Sequence, residues 1–196
     1  MTTMHYRRLG GSGLKLSALS LGTWVTFALQ LGRSQARELV ACALDHGINF
    51  FDGAENYAFG AAETVLGDVL ADLRPPRDAY CVSSKVRFGA VEHPAPTQQG
   101  LSRKHVIEAC NQALKRLQVD HLDLFFCHRP DDDTPIAETV AAMDVLVRQG
   151  KVLYWGTSEW PAESIREAFR IANSGGYTAP TMEQPQYNLL RRERVE

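Results

Sequence analysis

Short apolar runs alternate along this chain with longer stretches whose apolar positions recur at helical spacing. Most of the short runs stop at a polar or charged residue. Ile48 to Phe51 stops at Asp52, Ala79 to Ser84 at Lys85, and Leu122 to Cys127 at His128. Val152 to Gly156 stops at Thr157-Ser158-Glu159, and a run near Thr181 to Glu183 stops at Gln184. Leu19 to Leu21, ending at Gly22-Thr23-Trp24, is the first of the series. Each run reads as a buried strand.

The intervening stretches read as helices. One carries Leu39, Val40, Ala43 and Leu44, with Ser34 as its cap and Gly47 as its stop. The next buries Val65, Leu66, Val69, Leu70 and Leu73 and breaks at Pro75-Pro76. A third starts at Ser102, with Val106, Ala109, Ala113, Leu114 and Leu117 as its stripe. Thr134-Pro135 opens a fourth as N-cap and first residue, closing near Gly150. Pro161 opens a fifth, carrying Ile165, Ala168, Phe169 and Ala172, with Gly175-Gly176 as its end. Ahead of all of them, Tyr6 to Leu9 and Leu14 to Leu16 flank Gly10-Gly11-Ser12-Gly13, a hairpin signal. Those glycines open no helix, which argues against a phosphate loop.

Regular strand–helix alternation predicts a parallel α/β sheet. Gly22-Thr23-Trp24 is not the glycine fingerprint a Rossmann domain needs after its first strand. The expected fold is a (β/α)8 TIM barrel with an N-terminal β-hairpin, as one domain over residues 1–196. About six strands are expected against the eight of a closed barrel, so the barrel is expected to be incomplete.

Composition adds little to this picture, but it excludes some functions. The net charge of −2 argues against a nucleic-acid partner or a membrane surface, and no apolar run is long enough to insert in a membrane. Cys42, Cys81, Cys110 and Cys127 form no CxxC pair and are expected as buried free thiols in a reducing cytoplasm. No HxH pair near the first strand supports a metal-dependent hydrolase, and no metal is expected.

Strand ends of a parallel barrel share one rim, where active sites form. Asp52, Tyr57 in the loop beyond it, Lys85 and His128 are therefore expected together. The set suits carbonyl reduction. A phenol, with a free pKa near 10, delivers the proton to the nascent alkoxide, and a nearby ammonium lowers that pKa. Tyr57 is the expected acid, Lys85 tunes it, Asp52 orients Lys85, and His128 places the substrate oxygen. Trp24, Phe27, Phe59 and Phe88 are candidates for an apolar substrate pocket, with Arg87 or Arg129 at its edge.

The motifs Asp52-Gly53-Ala54-Glu55-Asn56-Tyr57, Ser84-Lys85, His128-Arg129-Pro130 and Gly156-Thr157-Ser158 together resemble the aldo-keto reductases. Leu21 to Phe27, Tyr154 to Ser158 and Glu183-Gln184 resemble most closely the branch that contains the β-subunits of voltage-gated potassium channels. The resemblance implies reduction of small aldehydes and ketones with NADP(H), with Asp52, Tyr57, Lys85 and His128 as catalytic tetrad. It also implies that Thr23, Trp24 and Asp52 lie beside cofactor, and Trp24, Tyr57 and His128 beside substrate. Ser158 and Gln184 match side chains that hold the nicotinamide carboxamide.

Two positions depart from the pattern. Animal channel subunits commonly carry Asn where this chain has His128, and Glu159 replaces the family's Asn or the branch's Arg. The family's later segment, which holds the pyrophosphate and the adenosine phosphate, has no match here, so the chain is expected to be a truncated form of a longer reductase. The alternatives are a regulatory channel-subunit-like interaction protein and an inactive remnant, and a homo-oligomer is among the expected partners in any of these readings.

Overall fold

The computed structural model describes residues 4–196. A hairpin of β1 (Tyr6–Arg8) and β2 (Lys15–Ser17) precedes a parallel sheet of six strands. Those strands are β3 (Leu21–Gly22), β4 (Phe50–Asp52), β5 (Cys81–Val86), β6 (Leu122–Cys127), β7 (Val152–Thr157) and β8 (Met182–Glu183). They lie side by side in chain order, and every neighbouring pair is parallel. Helices α1 (Arg33–Asp45), α2 (Ala61–Leu73), α3 (Arg103–Leu117), α4 (Ile136–Arg148) and α5 (Ala162–Gly175) join consecutive strands. The result is an incomplete (β/α)8 barrel, a curled sheet with β3 and β8 at its edges.

Alternation along the strands divides the core in two. Phe51, Val82, Val86, Phe125, Cys127 and Trp155 pack against the helices. Phe50, Cys81, Leu124 and Phe126 face the barrel interior, where Leu9, Leu14 and Leu16 of the hairpin region and Met182 meet them. Asn49, just before β4, fastens the hairpin: its side chain accepts from Ser17 N at 2.8 Å, and Ser17 Oγ accepts from Asn49 N at 3.1 Å. The hairpin thus covers the N-terminal end of the sheet and leaves the C-terminal rim open.

One ionic group is sunk in the helix layer. Glu63 of α2 is fully buried; Arg116 Nε of α3 bonds it at 2.7 Å, and the Ser84 hydroxyl donates to its other oxygen. Burial pushes its carboxyl above the usual range even with those partners.

Several element boundaries differ from the sequence pattern. The hairpin strands and β3 shift by a residue or two, and Lys85 lies inside β5 rather than after it. Ser34 is not a cap: α1 starts at Arg33, after Gly32, whose N–H donates to Gln35 Oε1 at 3.3 Å. Pro135 is the cap of α4 and not its first residue, because Thr134 Oγ1 donates to Asp131 at 2.8 Å. Leu39 and Phe169, although they recur at helical spacing with buried neighbours, are exposed. Cys42 is also exposed, although the other three thiols are buried and all four are free. Phe27 is a core residue of the helix layer, not part of a pocket lining. Ser102 caps α3 as the sequence implies, accepting from His105 N at 3.3 Å.

Candidate active site

The rim assembles from strand ends in register. Asp52 is opposite Ser83, and Lys85 is opposite Phe126. With the period of two, Asp52, Ser83 and Lys85 all face the barrel interior. Lys85, only 1% exposed, puts its ammonium 2.6 Å from Asp52 Oδ2, 2.9 Å from Gly53 O and 3.4 Å from the Tyr57 hydroxyl. Ser83 Oγ donates to Asp52 Oδ1 at 2.7 Å. The carboxylate is therefore held on both oxygens and cannot swing away from Lys85. Beneath, the ammonium lies 5.8 Å from the Phe126 ring centroid, so its surroundings are apolar apart from these partners.

Tyr57 arrives by a strained loop. Ala58 and Phe59, which follow it, have φ of 49° and 53°, a left-handed conformation costing about 1–2 kcal/mol for each residue other than glycine. Among the described residues, the other non-glycine residues with positive φ are Val25, Ala28, Arg74, Gln118 and Glu159. Arg74 and Gln118 end helices, where this conformation is ordinary. The rest lie in loops of the rim, as strain at functional sites tends to.

His128 follows β6, with its ring centroid 5.7 Å from that of Tyr57 and at 76° to it. Phe88 also lies edge to face with the imidazole, ring centroids 5.4 Å apart. The structure thus brings together Asp52, Tyr57, Lys85 and His128. Trp24, two-thirds exposed, stands 6.3 Å from the Tyr57 ring. Thr23 is buried and already donates its hydroxyl to Asp52 O at 3.1 Å, so its side chain fixes the strand end. At the far side, Ser158 Oγ donates to the backbone carbonyl of Gln184 at 2.9 Å, and the Gln184 side chain has no protein partner among the described residues.

Electrostatics correct one expectation. Lys85 does favour the Tyr57 phenolate, but burial outweighs it and Asp52 opposes it, so the phenol is raised above 10.0 rather than lowered. Tyr57 keeps its proton throughout the neutral range. Burial, aided by the charges of Lys85 and Arg129, lowers His128 to about 3. The imidazole is neutral, and its Nδ1 is buried without a hydrogen-bond partner.

Some contributors were given no role by the sequence, even where they stand inside a quoted motif. Ser83 shares a face with Lys85 and was legible from the alternation alone. Glu55 gave no periodic signal. It is 2% exposed and its Oε1 accepts from Arg87 N at 2.8 Å and Gly89 N at 2.9 Å. Of the expected pocket lining, Phe59 is exposed and Arg87 is paired with Asp131 at 3.2 Å.

A parallel α/β barrel sheet with an acid, a phenol, an ammonium and an imidazole at one rim defines a class of reductase-like barrels, and the comparisons narrow the class. The profile of the Aldo/keto reductase family matches residues 18–196. A protein of Arabidopsis thaliana named "Probable voltage-gated potassium channel subunit beta" is 47% identical over 193 residues, covering 98% of this chain and 58% of its own length. A protein of the same name from Oryza sativa subsp. japonica matches with the same identity and coverage. The chain belongs to the aldo/keto reductase family. It spans 58% of the length of these relatives.

Among the described residues, no helix is long and apolar enough to cross a membrane, and no group of three or more His, Cys, Asp or Glu side chains is arranged to hold a metal ion.

Proposed function

We propose that this rim reduces small aldehydes and ketones with NADPH, with Tyr57 as the proton donor. The observation that carries the reading is the convergence of Tyr57, Lys85, Asp52 and His128, with the Lys85 ammonium bonded to both Asp52 and the phenol. The nicotinamide end of the cofactor fits the far side of the rim. There the Gln184 side-chain amide, without a protein partner among the described residues, offers the donors and the acceptor that a carboxamide needs, and Ser158, whose proton goes to Gln184 O, keeps one lone pair as a further acceptor.

When bound there, the reduced nicotinamide supplies a hydride to the carbonyl carbon. Tyr57, protonated at neutral pH, gives its proton to the carbonyl oxygen as negative charge develops on it. The phenolate left behind is stabilised by Lys85, whose charge acts in an apolar pocket and needs no rearrangement. Neutral His128 donates from Nε2 to the same oxygen and fixes its direction, its Nδ1 remaining a buried lone pair. Phe88, against His128, and Trp24, against Tyr57, border this point, and both rings are open to solvent in the free protein.

The test is Tyr57→Phe, assayed for NADPH oxidation with an aldehyde and for NADPH binding by fluorescence. Turnover should fall by about 10²–10⁴-fold with binding retained. A Tyr57→Phe protein as fast as the parent would overturn the acid assignment.

The names of the two relatives favour a second reading, a channel-associated subunit whose rim binds cofactor without rapid turnover. Saturable NADPH binding with no reduction across a carbonyl panel would support it over the enzyme.

A further inference from the structure

We infer that Arg129 selects the substrate, and that it does so by reading a carboxylate: the carbonyl compounds this rim takes best are those that also carry an acid group. The inference rests on the reductase reading above. Arg129 directly follows His128 and is half-buried. Its Nη1 donates to its neighbour's carbonyl, His128 O, at 2.5 Å and to Ser158 Oγ at 3.2 Å. The side chain therefore lies along the rim between the ends of β6 and β7, not out in solvent. It is close enough to the chemistry that its charge lowers the proton affinity of both Tyr57 and His128.

What sets Arg129 apart is its lack of a counter-charge. The other arginines and lysines that are not exposed are almost all paired: Arg77 with Asp123, Lys85 with Asp52, Arg87 with Asp131 and Arg116 with Glu63. Lys151, at the opposite end of β7, is bonded to Asn111. Arg129 has no carboxylate partner among the described residues, and its Nη2 and Nε have no protein acceptor. The nearest carboxylate in sequence, Asp131, is spent on Arg87 at 3.2 Å, on Leu101 N and on the Thr134 hydroxyl, and Glu159, next to the Ser158 that Arg129 touches, is spent on Gln186 N and on Arg194 at 2.6 Å. Because Asp52 and Lys85 cancel, Arg129 supplies the surplus positive charge of the site. A partly desolvated guanidinium with a free edge is costly alone, and it is matched in geometry by a carboxylate or phosphate. Two sources have that chemistry, the substrate and the cofactor phosphates. The position beside His128, which places the substrate oxygen, favours the substrate.

The full chain would be assayed with para-carboxybenzaldehyde and its methyl ester, as wild type, Arg129→Met and Arg129→Lys, with NADPH affinity measured in parallel. The ratio of kcat/KM for acid over ester should fall by about 10–100-fold in Arg129→Met, the worth of a charge-assisted hydrogen bond. It should fall less in Arg129→Lys, with NADPH affinity unchanged. An unchanged ratio overturns the inference. So does an equal fall for both aldehydes with weakened NADPH binding, which would give the anion to the cofactor. If Arg129→Met does not fold, the ratio in Arg129→Lys decides alone, since lysine keeps the charge but not the fork. If neither aldehyde is reduced, the reductase reading fails, and benzoate titration followed by tryptophan fluorescence tests the anion site separately. Saturable binding lost in the variants upholds the site, and binding that is absent or unaffected overturns it.

Discussion

Lys85 gives its shortest bond to Asp52 and its longest to Tyr57: the ammonium is 2.6 Å from the carboxylate and 3.4 Å from the phenol oxygen. It is first half of an ion pair and second a neighbour of Tyr57. Removing it by Lys85→Met leaves a carboxylate, 15% exposed, with only Ser83 to hold it. Breaking a buried pair costs about 3–5 kcal/mol, and the residual exposure of Asp52 puts the expected loss near 3. Urea denaturation should show that loss, and the double variant Lys85→Met/Asp52→Asn should regain part of it without regaining turnover. A double variant no more stable than Lys85→Met would mean that the pair is not the source of the loss.

The His128 imidazole gives stability a pH dependence of known sign. Folded, it titrates at about 3; its ordinary value is 6.5. Between those values the unfolded chain binds a proton that the folded chain refuses. Stability from this group is fully present above about 6.5 and is lost progressively as pH falls toward about 3. His128→Asn removes the titration while keeping a polar side chain. The wild type should therefore lose more stability than the variant between roughly pH 7 and pH 4.5 in urea melts. Parallel losses in the two proteins would show that the imidazole is not held neutral by the fold.

How far the sequence foretold this structure depended on whether a residue's fate was set locally. Strand β6 was legible to the residue, Leu122–Cys127, because it is buried on both faces and reads as an apolar run broken only by Asp123, whose carboxylate is buried against Arg77 and Val82 N. The convergence of Asp52, Lys85 and His128 was legible because they lie at strand ends, which topology alone brings to one rim, and Tyr57 follows in the loop after Asp52. Burial of single aromatics was not: Phe27 is swallowed by the helix layer while Phe169, on a well-formed amphipathic stripe, stays 41% exposed. That difference depends on which neighbours cover each position, and the stripe is blind to it. The sign of the Tyr57 shift was equally hidden, because charge type can be read from a motif but depth of burial cannot.

Gly67 sits where α2 and α3 approach backbone to backbone. A Cβ there would run into the Arg116 carbonyl and lie 2.8 Å from the Leu117 carbonyl carbon, neither of which can rotate away. Alanine would gain about 1 kcal/mol of helix propensity. Prising two packed helices apart typically costs about 1–3 kcal/mol, and it would also stretch the Glu63–Arg116 bond that joins them. The clash should win, so Gly67→Ala should lower the thermal midpoint. A raised midpoint would mean that the helices yield freely at this contact.

Glu55 links the Tyr57 loop to the loop that carries Phe88. It lies two residues before Tyr57, and its Oε1 accepts from the amides on either side of Phe88, those of Arg87 and Gly89. Its Oε2 meets His105 Nε2 at 3.3 Å, and His105 Nδ1 in turn faces Gly100 O at 2.8 Å. One carboxylate thus ties the start of the 87–100 connection, and through His105 its end, to the segment carrying the phenol. Phe88 is what this tether delivers, since its ring lies 5.4 Å from that of His128. Glu55→Ala leaves two buried amides without an acceptor, at about 1–3 kcal/mol each. Amide hydrogen exchange across residues 87–100 should quicken by one to two orders of magnitude, while β6 and β7 keep their protection. Glu55→Gln, which keeps an acceptor oxygen but not the charge, should fall between the two. Unchanged exchange in Glu55→Ala would instead place the hold on the loop with Arg87 and Asp131, whose ion pair at 3.2 Å is the other tie at that point.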